Sequence, residues 1–119
     1  MNVVDEYNLC HKVERKWYKL FKTNCFYCPQ EAKNFCNKIC GKLGYWKINN
    51  VKFQRKGIKC GIEAYYDNFN IYTPFENIYI DVLIHELTHH FGELGHGKSF
   101  CKRENFLFSV AYKLLENYE

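Results

Sequence analysis

The 119-residue chain has no apolar run of about 18 residues, which excludes a membrane-spanning helix. Its first residues, Met1-Asn2-Val3-Val4-Asp5-Glu6, have neither a basic stretch nor an apolar core, so no secretory signal is expected. The expected location is therefore intracellular, either cytoplasmic or nuclear. Proline is scarce, with 2 residues, and no repeat, low-complexity tract or linker divides the chain. One domain spanning residues 1–119 is the expectation. Neither sign of charge dominates: the net charge of +4 permits contact with nucleic acid without requiring it. Methionine occurs once, at Met1.

What is present is core-forming material. Hydrophobic residues make up 47% and aromatics 18%, which is incompatible with a disordered chain. The 7 cysteines are odd in number, consistent with a reducing compartment where thiols are free, metal-bound or catalytic. Over residues 3–22, Val3, Tyr7, Cys10, Val13, Trp17 and Leu20 recur at spacings of three and four, the stripe of an amphipathic helix. Lys12, Arg15, Lys16, Lys19 and Lys22 share the other side. Cys28-Pro29 opens a second helix, with Ala32, Cys36, Ile39 and Leu43 inward and Gly41 or Gly44 to end it.

The period then shortens. Trp46 to Arg55 is rich in strand formers, Lys56-Gly57 suits a turn, and Cys60, Ile62, Ala64 and Tyr66 alternate with Gly61, Glu63 and Tyr65. Asp67-Asn68 makes a second turn before Phe69, Ile71 and Thr73, which predicts three antiparallel strands. Thr73-Pro74-Phe75-Glu76 reads as a capping box, opening a helix that runs to Phe91 and stops at Gly92. A last helix, Lys98 to Asn117, is expected to bury Phe100, Leu107, Ala111, Leu114 and Tyr118. The expected fold class is α+β: N-terminal helices, a small antiparallel sheet, an active-site helix and a C-terminal helix.

His85-Glu86-Leu87-Thr88-His89 carries the chemistry. Residues four apart stack on a helix, so both imidazoles can reach one zinc ion about 2.0–2.1 Å from each nitrogen. Glu86, one position on, can take the proton of a water activated by that ion. A catalytic zinc needs a third protein ligand and an open position. Gly92 and Gly95 let the chain turn back and present His96. Glu93 is the rival, but it would need the helix to continue through Gly92. His90 points about 100° away from His89 and is expected not to bind the metal. Tyr65, Tyr66 and Tyr72 are candidates for an oxyanion contact, with packing as the commoner role.

The run from His85 to His89, followed by His96-Gly97-Lys98-Ser99-Phe100, resembles the SprT-like zinc metallopeptidases (the Spartan family) and the related WLM group. Gly61-Ile62-Glu63-Ala64-Tyr65-Tyr66 and Asn70-Ile71-Tyr72 look like their paired strands, and the likeness covers about residues 46 to 112. The resemblance implies a minimal zincin-like metallopeptidase domain, with His85, His89 and His96 as zinc ligands and Glu86 as base. It also implies proteins crosslinked to DNA as substrates. The metzincin family is excluded, because its last histidine would fall on Gly95 and its Met-turn has no methionine.

Cys25, Cys28, Cys36 and Cys40 have the spacing of a second, structural zinc site; disulfides and plain thiols are the alternatives. The basic stripe Lys12, Arg15, Lys16 and Lys19 can track a DNA backbone or be a solvated face. Lys52, Arg55, Lys56 and Lys59 offer another patch. The expected protein is a monomeric zinc-dependent endopeptidase with a protein or peptide substrate, associated with DNA and not with membranes. A zinc peptidase for one protein substrate without nucleic acid, and a metal-bound binding module without turnover, are the competing readings.

Overall fold

The computed structural model describes residues 3–21, 25–26, 28–53, 64–73 and 78–116. Its elements in chain order are α1 (Val3–Phe21), β1 (Cys25–Phe26), α2 (Pro29–Lys42), β2 (Asn50–Phe53), β3 (Tyr65–Asp67), β4 (Asn70–Thr73), β5 (Ile78–Tyr79), α3 (Ile80–His90) and α4 (Lys98–Glu116). This is an α+β fold. Among the described residues no helix is long and apolar enough to cross a membrane.

Of the expected α1 stripe, Val13 and Trp17 pack against the core, and the side chains of Val3, Tyr7, Cys10 and Leu20 lie outside the described residues. Pro29 occupies the first turn of α2, behind an extended Cys28, where its missing N–H leaves no carbonyl unpaired. The inward face of α2 is Ala32, Phe35, Cys36, Ile39 and Cys40. Gly44, at φ +65°, ends the helix in the left-handed conformation that glycine adopts without strain. Asn37 then pins the following loop: its side-chain amide donates to the Ile48 carbonyl at 3.2 Å and accepts from the Ile48 N–H at 2.8 Å.

The sheet differs from the expected antiparallel meander. It is mixed, in the order β2-β4-β3, with β2 parallel and β3 antiparallel to β4. The β3–β4 hairpin turns on Asn68 and Phe69, both at positive φ (48° and 68°), the geometry of a type I′ turn. That tight link makes β3 and β4 neighbours. β2 takes the other side of β4, Val51 opposite Ile71, so the most buried strand is central. The expected turn at Lys56-Gly57 and the strand residues from Cys60 to Glu63 lie outside the described residues.

A second correction concerns α3. Thr73 ends β4, and Ile78–Tyr79 pair antiparallel with Cys25–Phe26, so the helix starts at Ile80. Strand pairing prevails over the local capping signal; residues 74–77 lie outside the described residues. Once begun, α3 is buried almost all round, through Ile80, Leu83, Ile84 and Leu87. It stops as expected: Gly92 has φ +99° and donates its N–H to the His89 carbonyl at 3.0 Å.

α3 packs against α4, α1, α2 and the strands, and α1 lies against α4. The α1–α4 seam is aromatic: Trp17 stacks on Phe108 (5.7 Å between centroids) and Phe21 lies 5.8 Å from the same ring. The Trp17 indole N–H donates to Asn105 Oδ1 at 2.8 Å, which fixes the relative height of the two helices. Phe108 is fully buried. Phe108→Ala is therefore expected to lower unfolding free energy by about 3–5 kcal/mol, read from the urea midpoint.

Candidate metal centre

α3 sets the site by its period. His85 and His89 stand one turn apart on the same side, and the Gly92-to-Gly97 turn brings His96 back over them. One nitrogen from each ring lies within 4.8 Å of the other two, a grouping that could hold a metal ion. His89 Nε2 and His96 Nε2 are 3.2 Å apart. Two ligands of one tetrahedral zinc stand about 3.3 Å apart, given bonds of about 2.0–2.1 Å.

The other ring nitrogens are engaged. His89 Nδ1 is 2.6 Å from the Glu93 carbonyl oxygen, so it carries the proton and donates. His85 Nδ1 is 2.6 Å from Glu14 Oε2 and 3.2 Å from Glu104 Oε2, and it donates to carboxylate. When each ring is neutral, its Nε2 is the lone pair left for the cluster, the form a metal requires; His85 must give up its second proton to reach that form. Phe100, 1% exposed, closes the base of the cluster, its ring centroid 4.9–5.0 Å from each of the three imidazoles.

Charge is unevenly shared. Burial would lower the His85 pKa, but its hydrogen bonds to Glu104 and Glu14, with the charges of Glu86 and Glu14, outweigh it and raise it to about 10. Glu104 has no exposed surface, and its burial pushes its carboxyl up against the pull of His85. Burial lowers His89, which keeps that ring neutral. Glu86 is 6% exposed. Burial raises its carboxyl from 4.5 to about 7, with the His85 charge opposing and the Glu14 charge reinforcing.

The residues singled out from sequence separate clearly. His85, His89 and His96 come together, with Glu86 on the same helix. His90 faces the sheet instead: its Nδ1 pairs with the Tyr66 hydroxyl at 2.8 Å, and its Nε2 lies 2.5 Å from the Trp46 carbonyl. Tyr66 is thereby tied to His90, and Tyr65 stacks on Tyr72 with centroids 4.6 Å apart. The Glu93 carboxylate accepts from the Ser99 hydroxyl at 2.6 Å, anchoring the loop to the start of α4.

The four-cysteine site does not assemble. Cys36 and Cys40 are buried on the inward face of α2, Cys25 is half-buried and Cys28 is exposed, and all four are free. Among the described residues they form no metal-binding group. Burial, the main cause in each case, raises the thiol pKa of Cys36 strongly and that of Cys40 to about 11, which keeps both protonated.

On α1, Lys12, Arg15, Lys16 and Lys19 are exposed. At about 100° per residue, they lie roughly 100–200° around the helix from Glu14, away from His85. Lys52 is exposed, while Arg55, Lys56 and Lys59 lie outside the described residues. The His11 side chain also lies outside them.

Sequence reasoning passed over Glu14 and Glu104. A signal existed for both: Glu104 interrupts the inward row Phe100, Leu107 and Ala111, and Glu14 stands one turn before Trp17 on the row that continues to Phe21.

The Glu86 shift gives a pH test on metal-free protein. The folded state binds the Glu86 proton more tightly than the unfolded state, so the contribution to stability falls as pH rises from about 4.5 through about 7. Glu86→Gln removes that loss. Denaturant unfolding in chelator should show the variant gaining on wild type across this window and holding a constant margin above it. A margin that is flat with pH would mean a solvated carboxylate.

No protein-family model, curated protein or solved structure matches this chain, so the chemistry of the site is argued from its donors and their arrangement.

Proposed function

We propose that this chain is a zinc-dependent endopeptidase of the zincin-like, SprT/WLM kind. The observation that carries the reading is the convergence of three imidazoles, two of them with Nδ1 committed to an oxygen acceptor and Nε2 left for a metal. The donor set suits zinc: three neutral nitrogens and a position left for water or substrate. His85, His89 and His96 would hold the ion.

Zinc bound there would polarise the peptide carbonyl and make a neighbouring water acidic near neutral pH. The protein's part is proton handling. Glu86, with its carboxyl raised to about 7, takes a proton from water at a carboxylate oxygen and returns it to the leaving amine nitrogen. Phe100 excludes water from beneath the rings, and the Glu93 carbonyl holds His89 in one orientation.

DNA association is the finer part of this proposal, with DNA-crosslinked proteins as substrates. What supports it is the exposed basic row Lys12, Lys16 and Lys19, together with the sequence resemblance. DNA held there would lie on the face of α1 turned away from the metal cleft, acting as a tether rather than as part of the active site.

Glu86→Gln is expected to keep stoichiometric zinc while cleavage of a DNA-binding protein substrate falls at least about a hundredfold. Run with and without single-stranded DNA, the same assay tests the tether. Stimulation by DNA that fades as salt rises supports it. DNA-independent cleavage leaves a peptidase for one protein substrate, and zinc binding without cleavage leaves a binding module.

A further inference from the structure

We propose that Glu14 of α1 and Glu104 of α4 are positioning residues that jointly hold His85 in its metal-binding tautomer, making α1 a working part of the metal centre. The proposal rests on the reading of His85, His89 and His96 as a metal site.

Both carboxylates converge on one atom, His85 Nδ1, at 2.6 Å and 3.2 Å. Glu14, His85 and Glu104 also satisfy the spacing of a metal group in their own right. The 2.6 Å contact argues for a hydrogen bond instead, because two ligands of one tetrahedral ion stand about 3.3 Å apart. A proton on Nδ1 accounts for both contacts and leaves Nε2 bare toward His89 and His96.

The placement is costly without a role. Glu104 has no exposed surface, and its second oxygen, Oε1, is buried with no hydrogen-bond partner. A carboxylate in that setting is destabilising unless an interaction offsets its desolvation. An imidazole that shares its proton with a carboxylate is a stronger donor to a cation through its other nitrogen, and its ring cannot rotate away.

The same seam sets both carboxylates. Trp17 lies one turn after Glu14, and its indole donates to Asn105, the residue next to Glu104. The Trp17–Phe108 stack lies one turn further along α4. Docking of α1 on α4 therefore delivers Glu14 and aligns Glu104 in one event.

The test uses the full chain with Glu104→Gln, Glu14→Gln and, as a control, Glu31→Gln at an exposed position of α2. Zinc affinity is measured by chelator competition, and the cobalt-substituted proteins are compared by their visible absorption. Circular dichroism of the metal-free proteins reports the folded fraction. Glu104→Gln and Glu14→Gln should each bind zinc about 10–100-fold more weakly per folded molecule, with altered cobalt bands. Glu31→Gln should match wild type.

Unchanged affinity and cobalt spectra in both variants would overturn the proposal. So would a loss that only tracks the unfolded fraction. If Glu104→Gln does not fold, half-buried Glu14 on its surface helix decides the matter alone. The proposed function fails separately: wild type that binds no zinc overturns both ideas, whereas zinc-loaded wild type that cleaves nothing leaves this one standing.

Discussion

A buried carboxylate in contact with an imidazole is the constraint around which the helices are arranged. Glu104 has no solvent to stabilise its charge, so something in the interior must supply a proton donor, and His85 is that donor. Once the His85 Nδ1–H is hydrogen-bonded to the glutamates, the rest of the ring is fixed. Its second nitrogen faces His89 and His96, and its ring lies tilted against that of Phe100. α1, α3 and α4 meet where one acid–base contact requires all three, and the aromatic seam of Trp17, Phe21 and Phe108 continues the α1–α4 contact with apolar packing.

α3 serves two polar sites from opposite sides. His85 and His89 face His96, whereas His90, adjacent to His89, is saturated by Tyr66 and the Trp46 carbonyl. Burial lowers the His90 pKa, so that ring is a neutral structural link between helix and sheet. Phe69 reinforces the link, its ring edge-on to His90 at 5.3 Å. That contact gives a reason for a bulky residue in the left-handed turn position, where glycine would be the unstrained choice.

Much of this was legible in the sequence wherever a local rule sufficed. The i, i+4 spacing of His85 and His89, the stop at Gly92, the Pro29 helix start and the returning His96 are properties of short segments, and they appear where expected. The failures are tertiary. The helix start at Thr73 lost to the pairing of Ile78–Tyr79 with Cys25–Phe26, a partner about 50 residues away that no local pattern announces. The sheet order failed for a similar reason: alternation reveals a strand but not its neighbour. Cys25, Cys28, Cys36 and Cys40 have suggestive spacing, yet helix phase turns two of them into the core. Glu14 and Glu104 were visible only as charges in apolar rows, whose meaning depends on what faces them.

The three-histidine cluster also has an order of assembly. His89 and His96 are 7 residues apart, whereas the Glu14–His85 contact spans 71. Closing a short loop costs less chain entropy than closing a long one, and short-range contacts form sooner. Glu14 is made 71 residues before His85, so the two cannot meet until the segment between them has been synthesised. The three imidazoles can gather as soon as the segment from Ile80 to Phe100 is free. Gathering of the three histidines can therefore precede the docking of α1.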